Sequence, residues 1–195
     1  MKLPVCVFDL ESDMLCPNCQ ERLDKGDLND FDVEFSKYIL ERVKEYPELE
    51  DLNLLRAVRT SGRLILVVRK KTEGVLQSAE ALMDEIRESF GEVLIFESPV
   101  KLRRIVRNLI EPAIELGVNS LHLPDGFRES IVMLRPEDRD RIPYSKEDLR
   151  EIVSAVMGES VLFQYQDERI EKDETSQDDA FGEKLREFSV RRRTR

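Results

Sequence analysis

Leu54-Leu55-Arg56-Ala57-Val58-Arg59-Thr60-Ser61-Gly62-Arg63-Leu64-Ile65-Leu66-Val67-Val68 sets two apolar runs on either side of a Thr-Ser-Gly turn, and the fold is decided by this stretch together with residues 75–96. Short runs of this kind around a glycine-containing turn predict a β-hairpin. The period then changes. Over residues 75–90, Val75, Leu76, Ala79, Leu82, Met83, Ile86 and Phe90 predict one continuous helix with a single apolar face. Gly91 supplies its stop, and Glu92-Val93-Leu94-Ile95-Phe96 reads as a further strand. Upstream, Phe31, Phe35, Tyr38, Ile39 and Val43 predict an amphipathic helix from Asp30 to about Glu45, stopped before Pro47. Residues 29–98 therefore read helix, strand, strand, helix, strand.

The same order recurs over residues 99–165. Residues 100–115 are helical in pattern, with Pro112 kinking or dividing them. Residues 118–123 read as a strand, Pro124-Asp125-Gly126 as a hairpin turn, and residues 130–134 as the partner strand. Ser145 caps a helix running to Met157, with Asp148 as the acid of a capping box and Gly158 as the stop; residues 161–165 close the unit. The fold class is α+β, and the repeat organises the chain, the plainer alternative being two generic α+β segments. From Gln166 apolar residues thin out, so 166–195 reads as a disordered charged tail. Its weak stripe is Phe181, Leu185 and Phe188. Its terminal arginines, Arg191 to Arg195, are either solvated or in contact with RNA or an acidic partner.

With 195 residues, 41% hydrophobic and 37% charged, the chain is too apolar for a disordered protein and too charged for one large enzyme core. No apolar run approaches the ~18 residues that span a bilayer, and none has the signal-peptide pattern, so the expectation is a cytoplasmic protein without a membrane partner. Three cysteines do not form the even framework of a secreted mini-protein, and a reducing compartment suits them. The net charge of −10 argues against nonspecific coating of DNA. Residues 1–50 carry 6 basic and 13 acidic side chains, so most of the excess lies there. Local basic patches remain at Arg69-Lys70-Lys71, at Lys101, Arg103, Arg104 and Arg107, and at Arg191-Arg192-Arg193. Any nucleic-acid face is sought in them, the competing reading being an ordinary solvated helix surface.

Residues 5–20 hold all the cysteines and show no sustained period, which predicts a turn-rich cysteine knuckle within a segment 1–28. Cys16-Pro17-Asn18-Cys19 has the two-residue spacing that lets two thiolates face one ion. Cys6 offers a third ligand and Asp9, three residues on, a fourth. Cys6, Asp9, Cys16 and Cys19 thus form a candidate closed structural zinc site, weaker than four thiolates because a hard oxygen replaces a sulfur. The alternatives are three reduced cysteines that simply pack, or a redox Cys-x-x-Cys pair.

No catalytic constellation assembles. His122, the single histidine, lies on a predicted strand and reads as a packed or hydrogen-bonded side chain. There is no Gly-x-Ser-x-Gly elbow, no phosphate loop and no dinucleotide fingerprint. The expectation is a binding protein, not an enzyme, with no small-molecule substrate.

Leu3-Pro4-Val5-Cys6, Met14-Leu15-Cys16-Pro17-Asn18-Cys19-Gln20, Asp32-Val33-Glu34 and the block Leu116-Gly117-Val118-Asn119-Ser120-Leu121 with Leu123-Pro124-Asp125-Gly126 together resemble an archaeal family of KH-domain proteins. That family is similar to the KH region of the bacterial elongation factor NusA, and the likeness covers about residues 1–165. It implies a zinc knuckle over 1–28, then two tandem type II KH-like modules over 29–98 and 99–165. It further implies an RNA-associated factor of transcription, translation or RNA processing, with RNA, protein partners of those machines, or both. This chain departs from the pattern at Asp9, where the family has cysteine. It departs again at Gln77-Ser78-Ala79-Glu80, where the Gly-x-x-Gly clamp on the sugar-phosphate backbone falls and both glycines are missing. A protein-protein adaptor that has lost the clamp is the alternative function.

Overall fold

The computed structural model describes residues 1–60, 62–122 and 128–168. The turn expected at Pro124-Asp125-Gly126, most of the expected tail and its Arg191–Arg195 cluster lie outside the described residues. Two compact units account for the chain: Met1–Ile105 with Glu151–Gly158, and Val106–Arg150 with the residues from Glu159 onward.

The first unit begins with two short helices, α1 (Val7–Ser12) and α2 (Pro17–Asp24), then α3 (Asp30–Arg42) and a 3-10 turn, Pro47–Asp51. Strands β1 (Leu54–Thr60) and β2 (Arg63–Arg69) form the expected hairpin, followed by α4 (Glu73–Ser78), α5 (Glu80–Phe90) and β3 (Glu92–Ser98). The sheet order is β1-β2-β3, antiparallel in the first pair and parallel in the second. Helices pack on the sheet. Phe35 and Ile39 from α3 and Leu76, Leu82 and Ile86 from α4 and α5 join Leu54, Leu64, Leu66 and Val68 in one buried cluster.

Two corrections concern helices. The knuckle read as turns contains α1 and α2, of six and eight residues, too short for a period of 3.6 to declare itself. The helix read as continuous over 75–90 is broken at Ala79, whose φ of −92° and ψ of 64° lie near the inverse γ-turn. The break leaves Leu76 and Ala79 buried on one side of it and Leu82, Met83 and Ile86 on the other.

Asn29 and Asp32 fix α3 to the sheet. Asp32 N–H donates to Asn29 Oδ1 at 2.7 Å and Asn29 N–H to Asp32 Oδ2 at 2.9 Å, a complete capping box. Both side chains also reach β1: Ala57 N–H donates to Asp32 Oδ1 at 2.6 Å, and Asn29 Nδ2 donates to Ala57 O at 3.2 Å. Burial raises the Asp32 carboxyl above its ordinary range, against the N–H groups of Ala57 and Asn29 and the charges of Arg56 and Arg22. At the end of α5, Gly91 has φ 88°, and a β-carbon there would strike the carbonyl of Gly62. That close approach lets Glu92 N–H donate to Gly62 O at 3.2 Å and start β3 beside β2.

The second unit repeats the sheet. Strand β4 (Gly117–His122) runs antiparallel to β5 (Arg128–Leu134), which pairs in parallel with β6 (Ser160–Tyr165). Helix α6 (Leu102–Ile110) precedes β4, and α7 (Lys146–Met157) precedes β6. Helix α6 is shorter than the 100–115 pattern: it stops two residues before Pro112, which follows a cis peptide bond. The expected cap of α7 is present, with Asp148 N–H donating to Ser145 Oγ at 3.0 Å and Ser145 N–H to Asp148 Oδ2 at 3.3 Å. Val106, Leu109, Val132, Leu134, Leu149, Val161 and Phe163 are buried in this unit. His122, expected to be packed or hydrogen-bonded, is exposed at the end of β4, as are the three residues before it.

Candidate metal centre and nucleic-acid surface

Cys6 and Cys16 stand immediately before α1 and α2, in extended backbone with φ, ψ of −63°, 135° and −69°, 159°. Asp9 and Cys19 are the third residues of those helices, so the same local geometry occurs twice and each x2 spacing turns two side chains the same way. Pro17 supports the second copy, its fixed φ suiting the first helical position. The two copies face each other: the ligand atoms of Cys6, Asp9, Cys16 and Cys19 all lie within 4.8 Å of one another. Cys6 and Cys19 Sγ are 3.6 Å apart. Tetrahedral zinc with Zn–S bonds of ≈ 2.3 Å sets sulfurs about 3.8 Å apart, so the donors need little movement to enclose the ion.

Asp9 and Cys19 are buried, Cys16 is half-buried and Cys6 is exposed. The Asp9 carboxyl is held below its ordinary range by hydrogen bonds from the Cys19 thiol and from Cys16 N–H, the latter at 3.1 Å. Burial, reinforced by the Asp9 carboxylate, pushes the Cys19 thiol up to about 12. Deprotonating the Cys19 thiol is therefore costly beside that carboxylate. A divalent ion held by Cys6, Asp9, Cys16 and Cys19 would offset that cost by binding the thiolate. Behind the ligands lies a small cluster of Val5, Leu10, Cys19 and Leu28, packed on Val33 and Leu40 of α3.

The basic residues take different places. Arg69, Lys70 and Lys71 are exposed where β2 ends, and Lys71, at φ 74°, is held in the left-handed region with its N–H donating to Glu97 Oε1 at 2.8 Å. Arg103 and Arg104 are exposed in the first turn of α6. Arg107 is committed elsewhere. Its Nε donates to both carboxylate oxygens of Glu115 at 2.9 and 3.0 Å, and its Nη2 reaches Oε1 at 2.8 Å. That carboxylate holds the Arg107 guanidinium more firmly protonated than usual. No sequence pattern links the two residues, because Pro112 breaks the helical register between them.

Each unit carries a groove between its last helix and its last strand. In the first, Gln77, Glu80, Met83 and Asp84 face Val93 and Ile95 across about 520 Å³. In the second, Lys146, Glu147 and Arg150 face Leu162 and Gln164 across about 250 Å³. Neither groove is legible in the sequence, since which residues line one is set by the pairing of helix and strand.

No family model matches the chain, and no curated protein matches it. Among solved structures it is similar to one described as "Crystal structure of APE1850", at 18% identity, with 64% of this chain and 96% of that chain covered and a TM-score of 0.48.

Proposed function

We propose that the protein is a non-catalytic RNA-associated factor of the NusA-like KH type, acting in transcription, translation or RNA processing. Two type II KH-like modules would present basic surface to RNA, and a structural zinc held by Cys6, Asp9, Cys16 and Cys19 would tie down the knuckle. The observation that carries the reading is the repeated sheet. Each unit places an antiparallel pair beside a parallel third strand, in the order β1-β2-β3 and again β4-β5-β6. Further support comes from the helix break at Ala79, which falls where a Gly-x-x-Gly loop would sit. Arg69, Lys70, Lys71, Arg103 and Arg104 are the residues offered to phosphate.

The test is binding of single-stranded RNA across a salt series. Each phosphate contact contributes a slope of about 0.7 in log K against log salt, so Arg103→Glu with Arg104→Glu is expected to flatten the slope by about 1.4 or more. Absence of binding even at low salt overturns the reading. One observation favours the adaptor alternative: Glu80 is exposed at the α4–α5 junction, and on the KH-like reading its carboxylate would meet an approaching phosphate. Ribonuclease-resistant co-purification of a protein partner, with no RNA affinity, would support it.

A further inference from the structure

We infer that Val7, Phe8 and Met14 form a docking surface for a partner protein whose apolar ridge is flanked by lysine or arginine. Phe8 is 75% exposed, Met14 73% and Val7 41%. Phe8 and Met14 are the most exposed of the large apolar residues among the described residues, and contiguous exposed apolar surface marks interaction sites. They are also adjacent. The Ser12 hydroxyl donates to the Phe8 carbonyl at 2.8 Å and lies 3.4 Å from the Met14 carbonyl, so the Phe8 and Met14 backbones lie close together. Asp13, at φ 54°, turns the chain back at this point.

The rim defines the partner's charge. Glu11 follows Val7 by four residues and Phe8 by three on the same helix, which makes it a neighbour of both. Asp13 remains 74% bare although Lys37 Nζ contacts it. Residues 1–28 carry 6 acidic and 3 basic side chains. An apolar centre within an acidic rim repels phosphate backbones and anionic lipid, and complements a cationic protein surface. Phenylalanine and methionine are suited to anchoring such a contact.

The inference gives the adaptor alternative its surface and is independent of the RNA reading. The probes are a synthetic amphipathic peptide with leucines on one face flanked by lysines, and its glutamate counterpart, each titrated against the full chain by fluorescence anisotropy. The lysine peptide is expected to bind and the glutamate peptide to bind at least about tenfold more weakly. Phe8→Ser with Met14→Ser should weaken the lysine peptide at least about tenfold, at an unchanged melting temperature and unchanged RNA affinity. Glu11→Lys, which removes no apolar side chain, should weaken it as well. Equal binding of both peptides, or wild-type binding by these variants, overturns the inference. So does Phe8-dependent dimerisation in light scattering, which would make a second copy the occupant. Should the peptides fail while a partner still co-purifies, the surface is wrong and the adaptor reading survives.

Discussion

Removing metal from the purified protein is expected to lower its melting temperature by about 5–11 °C. The four donor atoms already lie within 4.8 Å of one another, so binding is paid for mainly in thiol protons rather than in rearrangement. An ion present at a hundredfold excess over its dissociation constant stabilises the folded state by about 2.7 kcal/mol. Each kcal/mol is worth about 2–4 °C in a chain of this length, which gives the range stated. The loss should reach beyond the knuckle. Val33 and Leu40 of α3 pack on the knuckle cluster while Phe35 and Ile39 of the same helix pack under the sheet, and Leu3 touches both clusters. The first module should therefore melt together with the knuckle. The assay is thermal unfolding followed by circular dichroism, with and without chelator, alongside elemental analysis for zinc. Cys16→Ser with Cys19→Ser should reproduce the loss and bind no metal, and Asp9→Cys should tighten zinc by supplying a fourth soft ligand. A chelator-treated protein that melts at the same temperature as one saturated with zinc refutes the reasoning.

Asp32→Ala leaves the buried Ala57 N–H and the Asn29 N–H without their acceptor, for an expected loss of about 2–4 kcal/mol in urea denaturation. The pH dependence of Asp32 has a definite sign. Its folded value is raised above 3.8, so its contribution is fully present at pH below that value and is lost as pH rises through the raised one; Asp32→Asn should flatten this component of the stability–pH curve. Arg107→Gln should lower the urea midpoint while leaving RNA affinity nearly unchanged, whereas Arg103→Glu with Arg104→Glu should do the reverse. If the Arg107 variant instead loses RNA binding at unchanged stability, the ion pair with Glu115 is not that residue's main role. Gln77→Gly with Glu80→Gly should raise single-stranded RNA affinity measurably at low salt, and an unchanged affinity would separate the α4–α5 junction from any RNA contact.

What could be read from the sequence was whatever depends on near neighbours. The hairpin of β1 and β2 follows from two apolar runs around Gly62, the cap of α7 from Ser145 and Asp148, and the end of α5 from Gly91. The convergence of Cys6, Asp9, Cys16 and Cys19 was equally legible, because two x2 spacings act within a few residues. Features set by packing or by distant partners were not. Helix α1 is less than two turns long, so its pattern cannot be told from a turn. The partnership of Arg107 with Glu115 crosses a cis peptide bond at Pro112 that breaks every helical spacing between them. The exposure of His122 depends on what covers the end of β4, which a strand pattern of six residues does not encode.

The break at Ala79 separates two demands that the Gly-x-x-Gly pattern normally merges. One is conformational, a turn between two helices; the other is steric, open access for a sugar-phosphate chain to bare N–H groups. At φ −92° and ψ 64° the turn lies in a region open to any L-residue, so no glycine is needed to make it. Burial of Leu76 and Ala79 on one side and of Leu82 and Ile86 on the other holds the bend in place of backbone freedom. Gly91 shows the contrasting case in the same module, where positive φ and the approach of Gly62 leave no room for a side chain. On the KH-like reading proposed above, a glutamine and a glutamate at 77 and 80 would remove access without removing shape. Gln77 and Glu80, both exposed, flank that bend. On that reading the first unit would act as scaffold, and contact with RNA would fall to the exposed cations at the end of β2 and the start of α6.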